Sequence, residues 1–227
     1  MKKNILATVA AGALLTISLG AGPIHADQAK FTDIQGLAGA DKIESLHQDG
    51  RIKGITDSLF KPGQQLTTAQ GIQLIADGLD LNLDAIRFVK QPLPSDRFSK
   101  VLDGVWYSDA FIRAQYNGIQ LEADIDPPQP LTREQFTMFL MQGIESKGAL
   151  PMIKINPLDV ADEDEITPSY QGAIQRSLVF KINTLDENGK FNPKQTVTRA
   201  EAAVMMYNAI KHMESFHAPQ IPEMPEK

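Results

Sequence analysis

Apolar residues recur at helical spacing in three stretches of the chain, and each stretch follows a threonine. The three threonines, Thr67, Thr132 and Thr198, lie 65 and 66 residues apart. This spacing predicts three helices, each with one apolar face. The apolar positions are Ile72, Ile75 and Leu79 in the first helix, Phe136, Leu140 and Ile144 in the second, and Ala203, Met206 and Ile210 in the third.

Each threonine has the sequence context of a helix N-cap. Its hydroxyl can accept a hydrogen bond from a backbone N–H of the first turn. Three residues on, Gln70, Gln135 or Glu201 can reach back to the threonine, as in a capping box. Leu131 also stands where it can pack on Phe136 as a hydrophobic staple, so the middle helix is predicted to have the fullest cap.

The segment in front of each threonine is repeated as well. The segments 60–67, 125–132 and 191–198 align without a gap: an apolar residue, any residue, proline, three further residues, an aliphatic residue and threonine. Three such matches at one period indicate duplication, so the chain is predicted to be a tandem repeat.

A second helix is predicted in front of each of these segments. Asn117-Gly118 ends the middle one, as a C-terminal glycine commonly does. No glycine marks the end of the third, where Ser177 or Lys181 takes that place, so its register is open by about four residues. Two helices cannot bury their apolar faces alone, and we therefore expect an all-α fold in which the repeats pack on one another. The apolar positions are Ile43 and Leu46; Trp106, Ala110, Phe111 and Ala114; and Tyr170, Ala173, Ile174 and Leu178.

The start of the chain has the features of an export signal. Lys2 and Lys3 precede an apolar stretch at 5–19, and a small-residue site ends at Ala26. The apolar stretch is short for a membrane span, so cleavage before Asp27 is predicted rather than anchoring. The expected divisions are a signal peptide at 1–26, repeats at 27–90, 91–150 and 151–217, and a disordered tail at 218–227 that is rich in proline.

Charge and composition exclude several classes of function. Removal of the signal leaves 20 basic and 28 acidic side chains, a net charge of −8, which disfavours nucleic-acid binding. The chain has no cysteine, which excludes a lipoprotein anchor, disulfides, thiolate metal sites and a cysteine nucleophile. No segment after the signal is predicted to cross a membrane.

The repeated motifs resemble those of the S-layer homology family. The closing motif of that family stands as Thr-Arg-Ala-Glu at 198–201 and, nearly intact, as Thr-Arg-Glu-Gln at 132–135. In the first repeat Thr68 replaces the arginine. The opening motif is read as Phe-Thr-Asp-Ile at 31–34, Phe-Ser-Lys-Val at 98–101 and Leu-Asp-Val at 158–160. Trp106 with Gly118-Ile119 matches the centre of the middle repeat, and 50–54 matches that of the first.

This resemblance implies a pseudo-threefold helical bundle with grooves between its repeats and no catalytic activity. It further implies that the grooves bind secondary cell-wall polysaccharide linked to peptidoglycan, often bearing pyruvate ketals. The protein would then be secreted and held at the cell wall or surface of a bacterium. Because Thr68 lacks the charge of an arginine, we expect at most two competent grooves.

The arginines of the closing motif have a chemistry that suits an acidic ligand. At the first helical position, Arg133 and Arg199 oppose the positive end of the helix dipole, which disfavours them by at most about 1 kcal/mol. An arriving carboxylate would meet the guanidinium fork together with unpaired backbone N–H groups. The alternative is that each arginine pairs with a nearby acid such as Glu134 or Glu201.

Trp106 is a further candidate for sugar contact. Exposed aromatic side chains stack on sugar rings, although the helical spacing of its neighbours favours a place in the core or in a groove wall.

Residue types that would indicate an enzyme, a metal site or a cofactor site do not occur in suitable patterns. The acidic run at 159–165 is interpreted as a solvated loop, and 186–189 as a turn. His47, His212 and His217 lack the spacing of a zinc protease, and His25 leaves with the signal. Two functions remain: a module that binds acidic wall polysaccharide, and an envelope protein that uses the same scaffold to bind another protein.

Overall fold

The computed structural model describes residues 30–148, 150 and 156–215, and the predicted signal peptide and tail lie outside them. Within these ranges the chain forms six α-helices and no strand, so the all-α prediction is confirmed for this part of the protein. Not one of these helices is long and apolar enough to cross a membrane. The helices are α1 Ala40–Gln48, α2 Thr68–Gly78, α3 Ser108–Tyr116, α4 Arg133–Ser146, α5 Gln171–Val179 and α6 Arg199–Ser215.

The helices pack across the repeats. The short helix α3 packs on α2, which belongs to the repeat before it, and α5 packs on α4 in the same way. Helix α1 of the first repeat packs on α6 of the third. The three long helices α2, α4 and α6 also contact one another, so each repeat buries its apolar faces against both of the others.

A ring of three backbone hydrogen bonds joins the repeats just before their long helices. The N–H of Leu66 donates to the carbonyl of Val197 at 3.0 Å, that of Leu131 to Leu66 at 3.0 Å, and that of Val197 to Leu131 at 2.9 Å. All three side chains are buried. The three aliphatic positions of the repeated segment therefore meet at one place in the core.

The N–H groups in the first turn of each long helix donate to two kinds of acceptor. The threonine hydroxyl accepts from the third N–H, at 3.3 Å for each of Gln70, Gln135 and Glu201. The first N–H donates instead to a carbonyl of the neighbouring repeat. These bonds run from Thr68 to Gln129, from Arg133 to Gln195 and from Arg199 to Gln64, each at 2.8 Å. The second N–H donates to the neighbouring proline carbonyl at 127, 193 or 62.

The register of the third short helix follows from its last turn. Gly50 and Gly118 end the first two short helices with φ of 69° and 84°, and Lys181 takes this place in the third with φ of 57°. The residue at the glycine position is therefore Lys181, whereas Ser177 is buried inside α5.

The predicted opening of the third repeat is wrong, because its aspartate is Asp162, three residues after Asp159. In the first repeat, the carboxylate of Asp33 accepts hydrogen bonds from the N–H groups of Phe60 and Lys61 at 2.9 and 2.7 Å. In the third repeat Asp162 does the same for the two residues from Phe191 on, both at 2.8 Å. The opening thus begins at Val160, and not at residue 158, because the carboxylate must reach the loop in front of α6.

Candidate binding grooves

Three clefts lie at equivalent places between the repeats. Groove 1 has a volume of about 460 Å³ and includes Lys53, Trp106 and Arg199. Groove 2 has about 330 Å³ and includes Thr68 and Ser169. Groove 3 has about 440 Å³ and includes Ala38, Arg133 and Thr184.

Each groove is built by all three repeats. One repeat supplies the loop after its short helix and one side of its long helix. The repeat before it supplies the first residue of its own long helix, which is Arg199, Thr68 or Arg133. The repeat after it supplies a rim residue two positions before its short helix, which is Trp106, Ser169 or Ala38. The grooves therefore exist only when the three repeats are packed together.

In groove 1 the guanidinium of Arg199 is held by neutral groups. Its Nε donates to the carbonyl of Phe60 at 2.9 Å, and its Nη2 donates to that of Lys53 at 3.1 Å. It also lies over the ring of Phe60, 4.6 Å from the centroid. Burial lowers the pKa of Arg199, and the charge of Asp33 opposes that effect. Arginine remains protonated in this setting, so groove 1 contains a fixed positive charge.

In groove 3 the guanidinium of Arg133 has an equivalent place but an acidic partner. Its Nη2 donates to the carbonyl of Thr184 at 3.2 Å, and it lies 5.2 Å from the ring centroid of Phe191. Its Nη1 contacts Oε1 of Glu201 at 3.4 Å, and the arginine side chain is only 14% exposed. Burial lowers the pKa of Arg133, and the charges of Glu201 and Asp186 oppose that effect.

Groove 2 has no basic residue among those that line it within the described part of the chain. The hydroxyl of Thr68 donates to the carbonyl of Gln129 at 3.1 Å. Where the other two grooves have a phenylalanine ring under the arginine, groove 2 has Ile125. Its acidic lining residues are Glu122, Asp124 and Asp126.

The sequence predicted that unpaired backbone N–H groups at the starts of the long helices help to bind an anion, and this prediction is wrong. The first three N–H groups of α2, α4 and α6 all have acceptors, which are two carbonyls of the next repeat and the threonine hydroxyl. No N–H of these first three positions is left for a ligand, because the neighbouring loop already occupies the helix end. Any attraction for an acid in grooves 1 and 3 must therefore come from side chains.

Of the two acidic side chains that the sequence offered as partners of the arginines, only Glu201 pairs with one of them. Arg133 does pair with Glu201, as described. Glu134 is buried and instead accepts from Lys194 Nζ at 2.6 Å and from the backbone N–H of Thr167 at 3.0 Å. Glu134 is therefore a structural link between α4 and the third repeat.

Trp106 is outside the hydrophobic core. Helix α3 begins two residues later, and the indole is 62% exposed at the rim of groove 1. Its ring meets that of Tyr107 edge to face, with 5.2 Å between centroids. Of the two positions that the sequence favoured, the core is wrong because the residue precedes the helix, and the indole lines the wall of groove 1.

Several groove residues were not singled out from the sequence. Arg51 and Lys53 add positive charge to groove 1, and Phe60 and Phe191 form the surfaces under the two arginines. The first residue of each repeated segment, at 60, 125 and 191, was the available signal. Phenylalanine stands there in the two loops that face an arginine, and isoleucine stands in the loop that faces Thr68.

Among the residues that the structure describes, no group of three or more His, Asp or Glu side chains is placed to hold a metal ion. In the acidic run, Asp162 is buried and bonded to backbone N–H groups. The predicted turn is confirmed at Gly189, which has φ of 73° and donates to the carbonyl of Asp186 at 3.0 Å.

Part of the third repeat is similar in sequence to a known protein family. Residues 161–203 match the family model of the S-layer homology domain. This range begins one residue after Val160 and ends within α6, so the match includes all of α5 and only the start of α6.

Proteins that are similar to this chain over most of its length are much longer than it. An S-layer protein of Bacillus anthracis is 27% identical over 211 residues, which cover 89% of this chain and 24% of the relative. An amylopullulanase of Thermoanaerobacterium thermosulfurigenes is 28% identical over 184 residues, which cover 80% of this chain and 9% of the relative. A surface-layer 125 kDa protein of Lysinibacillus sphaericus is 23% identical over 221 residues, 90% of this chain and 18% of the relative.

The S-layer homology domain and the surface-layer relatives indicate a secreted, cell-surface or cell-wall-associated protein of bacteria. The chain spans less than a quarter of the length of each of these three relatives.

Proposed function

We propose that this protein binds an acidic polysaccharide of the bacterial cell wall, without catalysis, in grooves between three S-layer homology repeats. The polymer is a secondary cell-wall polysaccharide or another glycan linked to peptidoglycan, and pyruvate ketals are a suitable source of its negative charge. Residues 1–26 act as a cleaved signal peptide, and the three repeats pack as a pseudo-threefold bundle. The closed ring of backbone hydrogen bonds supports that packing.

The observation that carries this proposal is the placement of arginine on aromatic rings at the edge of two equivalent grooves. Arg199 over Phe60 and Arg133 over Phe191 are each held by a backbone carbonyl of the groove loop. A guanidinium fixed in this way offers its remaining N–H groups to a carboxylate with little further loss of side-chain entropy.

Distant relatives are consistent with a binding module that serves different proteins. The matched regions belong to surface-layer proteins and to enzymes such as an exoglucanase of Acetivibrio thermocellus, of which this chain covers 16%. Because the enzyme matches are confined to such a small share of each relative, they give no support for catalysis by this chain.

A second candidate function is favoured by groove 2. Its lining combines Glu122, Asp124 and Asp126 with no basic side chain among the described residues, so it repels an acidic glycan. An envelope protein with a basic surface segment would fit that groove better. If a pull-down with this protein recovered such a partner and the protein did not bind cell walls, this second function would be favoured.

The proposal is tested by removing both groove arginines. We expect the Arg133→Ala, Arg199→Ala double variant to lose at least about tenfold in affinity for purified cell walls, because no groove then has a guanidinium at its edge to contact a carboxylate. Sedimentation of the mature protein with walls is the measurement. Walls from which the acidic polymer has been extracted should bind the native protein as weakly as intact walls bind the variant.

A double variant of exposed arginines serves as the control for net charge. Arg87 and Arg97 are both exposed and lie outside the three grooves. Arg87→Ala with Arg97→Ala makes the same change in charge and should still sediment with walls. Unchanged wall binding by the folded groove variant, checked by circular dichroism, would refute the proposed function.

A further inference from the structure

We infer that the acidic sugar occupies groove 1 alone, so that each chain has one ligand site formed by Arg199 and Trp106. This inference rests on the proposed function and adds the number of sites and the residues that select among the grooves. Three differences between otherwise equivalent grooves lead to it: the partner of the arginine, the residue at the rim and the balance of charge.

The first difference is the partner of each arginine. Glu201 lies against Arg133, and its second oxygen accepts from the N–H and the hydroxyl of Thr198, both at 2.8 Å. This carboxylate is thus fixed by the cap of α6 and meets any anion that enters groove 3 with a like charge. Around Arg199, the described residues include no carboxylate within ion-pair distance, and both of its hydrogen bonds go to neutral carbonyls.

The reason for this difference lies in the caps. The third residue of the helix is Gln70 in α2 and Gln135 in α4 but Glu201 in α6. Each of these side chains reaches back to its threonine and also lines its own groove. Groove 1 therefore has a neutral amide where groove 3 has a carboxylate.

The second difference is the residue at the rim. Trp106, Ser169 and Ala38 occupy the same position relative to their short helices. Only the first of these has an aromatic ring, and it is 62% exposed. The apolar C–H face of a pyranose ring can pack on the indole of Trp106, while a carboxylate attached to the sugar contacts the guanidinium of Arg199. Neither serine nor alanine offers such a surface.

The third difference is the charge of the lining. Groove 1 contains Arg51 and Lys53 in addition to Arg199, against one acid, Asp77. Groove 3 contains Arg133 and Lys42 against Glu201. In groove 2, the charged side chains among the described lining residues are all acidic. A field of one sign concentrates ligand of the opposite sign, so the attraction for an anion is largest at groove 1.

One site per chain determines how the protein holds the wall. Two grooves on one chain could bind neighbouring units of the same polymer and gain avidity through a high effective concentration, whereas a single groove cannot. A chain attached through groove 1 alone therefore dissociates at the rate of a single binding contact. One chain also does not cross-link two polymer strands.

The test is isothermal titration calorimetry of the full mature chain with a defined probe, a methyl hexoside that carries one 4,6-linked pyruvate ketal. We expect one probe per chain. Trp106→Ala and Arg199→Ala should each weaken binding by about tenfold or more. Lys42→Ala in groove 3 should leave both the stoichiometry and the affinity within about twofold of the native values.

The outcomes separate this inference from the proposed function. Two probes per chain, or one remaining site of native affinity in Trp106→Ala, would overturn the single-groove assignment and leave the proposed function standing. No binding by the native chain to the probe or to walls would overturn both. Because Trp106 is exposed, its alanine variant decides the question even where Arg199→Ala fails to fold.

Discussion

Replacing Asp162 by alanine is expected to lower the free energy of unfolding by about 2–4 kcal/mol, because two backbone N–H groups lose their acceptor. The carboxylate is 3% exposed and accepts from the N–H groups of Phe191 and Asn192 at 2.8 Å each. No other acceptor in the loop is bonded to these groups, and the peptide of Phe191 is buried. Urea denaturation followed by circular dichroism measures the change.

The matched control for this variant is Asp159→Ala. Asp159 is exposed and stands three residues earlier, in the segment that the sequence suggested as the opening of the repeat. Its replacement should change stability by no more than about 0.5 kcal/mol, as is usual for surface positions. Equal losses in the two variants would contradict the assignment of Asp162 as the equivalent of Asp33.

Local signals in the sequence were sufficient for the helices. A threonine followed three residues later by glutamine or glutamate gives a cap whose atoms all lie within one turn. The apolar faces behind the caps are buried as their spacing predicted, with Ile72, Phe136 and Met206 each 0% exposed. These features depend on neighbours in sequence, and a single chain is enough to predict them.

Features that depend on another repeat could not be predicted in this way. The acceptors for the first N–H groups of α2, α4 and α6 come from loops more than 60 residues away in the chain. A helix N-terminus therefore looked free in the sequence while it is covered in the fold. The same holds for Trp106, since its exposure depends on the packing of α3 against α2.

The register of the third short helix could not be predicted from the repeated motif. Lys181 adopts the left-handed conformation that Gly50 and Gly118 adopt in the other repeats. A lysine there costs more conformational energy than a glycine, so composition gave no signal for it. Tertiary packing of Ile182, which is 1% exposed, fixes the position instead.

The fold and the grooves depend on the same contacts. In the loop of the first repeat, the carbonyl of Gln64 accepts from the backbone N–H of Arg199, and the carbonyls of Lys53 and Phe60 accept from its guanidinium. Packing of the repeats and positioning of the guanidinium are therefore coupled. A change that displaces this loop should affect stability and wall binding together.

Gly54→Ala is such a change, and we expect it to lower the free energy of unfolding by about 1–3 kcal/mol or more. A Cβ at this position would overlap the carbonyl oxygen of Thr56 and would lie 2.8 Å from that of Leu59 and 2.5 Å from a ring carbon of Phe31. Two of these atoms belong to the backbone and cannot rotate away. The turn closed by the N–H of Ile55 and the carbonyl of Leu59, at 2.8 Å, must open instead.

The control for this last variant is Gly63→Ala in the same loop. Gly63 is exposed, its φ is not in the left-handed region, and a Cβ there would meet no atom within 4 Å. Its replacement should leave stability unchanged or raise it by a few tenths of a kcal/mol through the lower entropy of the unfolded chain. Thermal unfolding and wall sedimentation of both variants give the comparison. Gly54→Ala should lose stability and wall affinity together, since the strained loop includes both carbonyls that hold Arg199. If Gly54→Ala were as stable as the native protein, the prediction would be contradicted, because the loop would then accommodate a Cβ at this position.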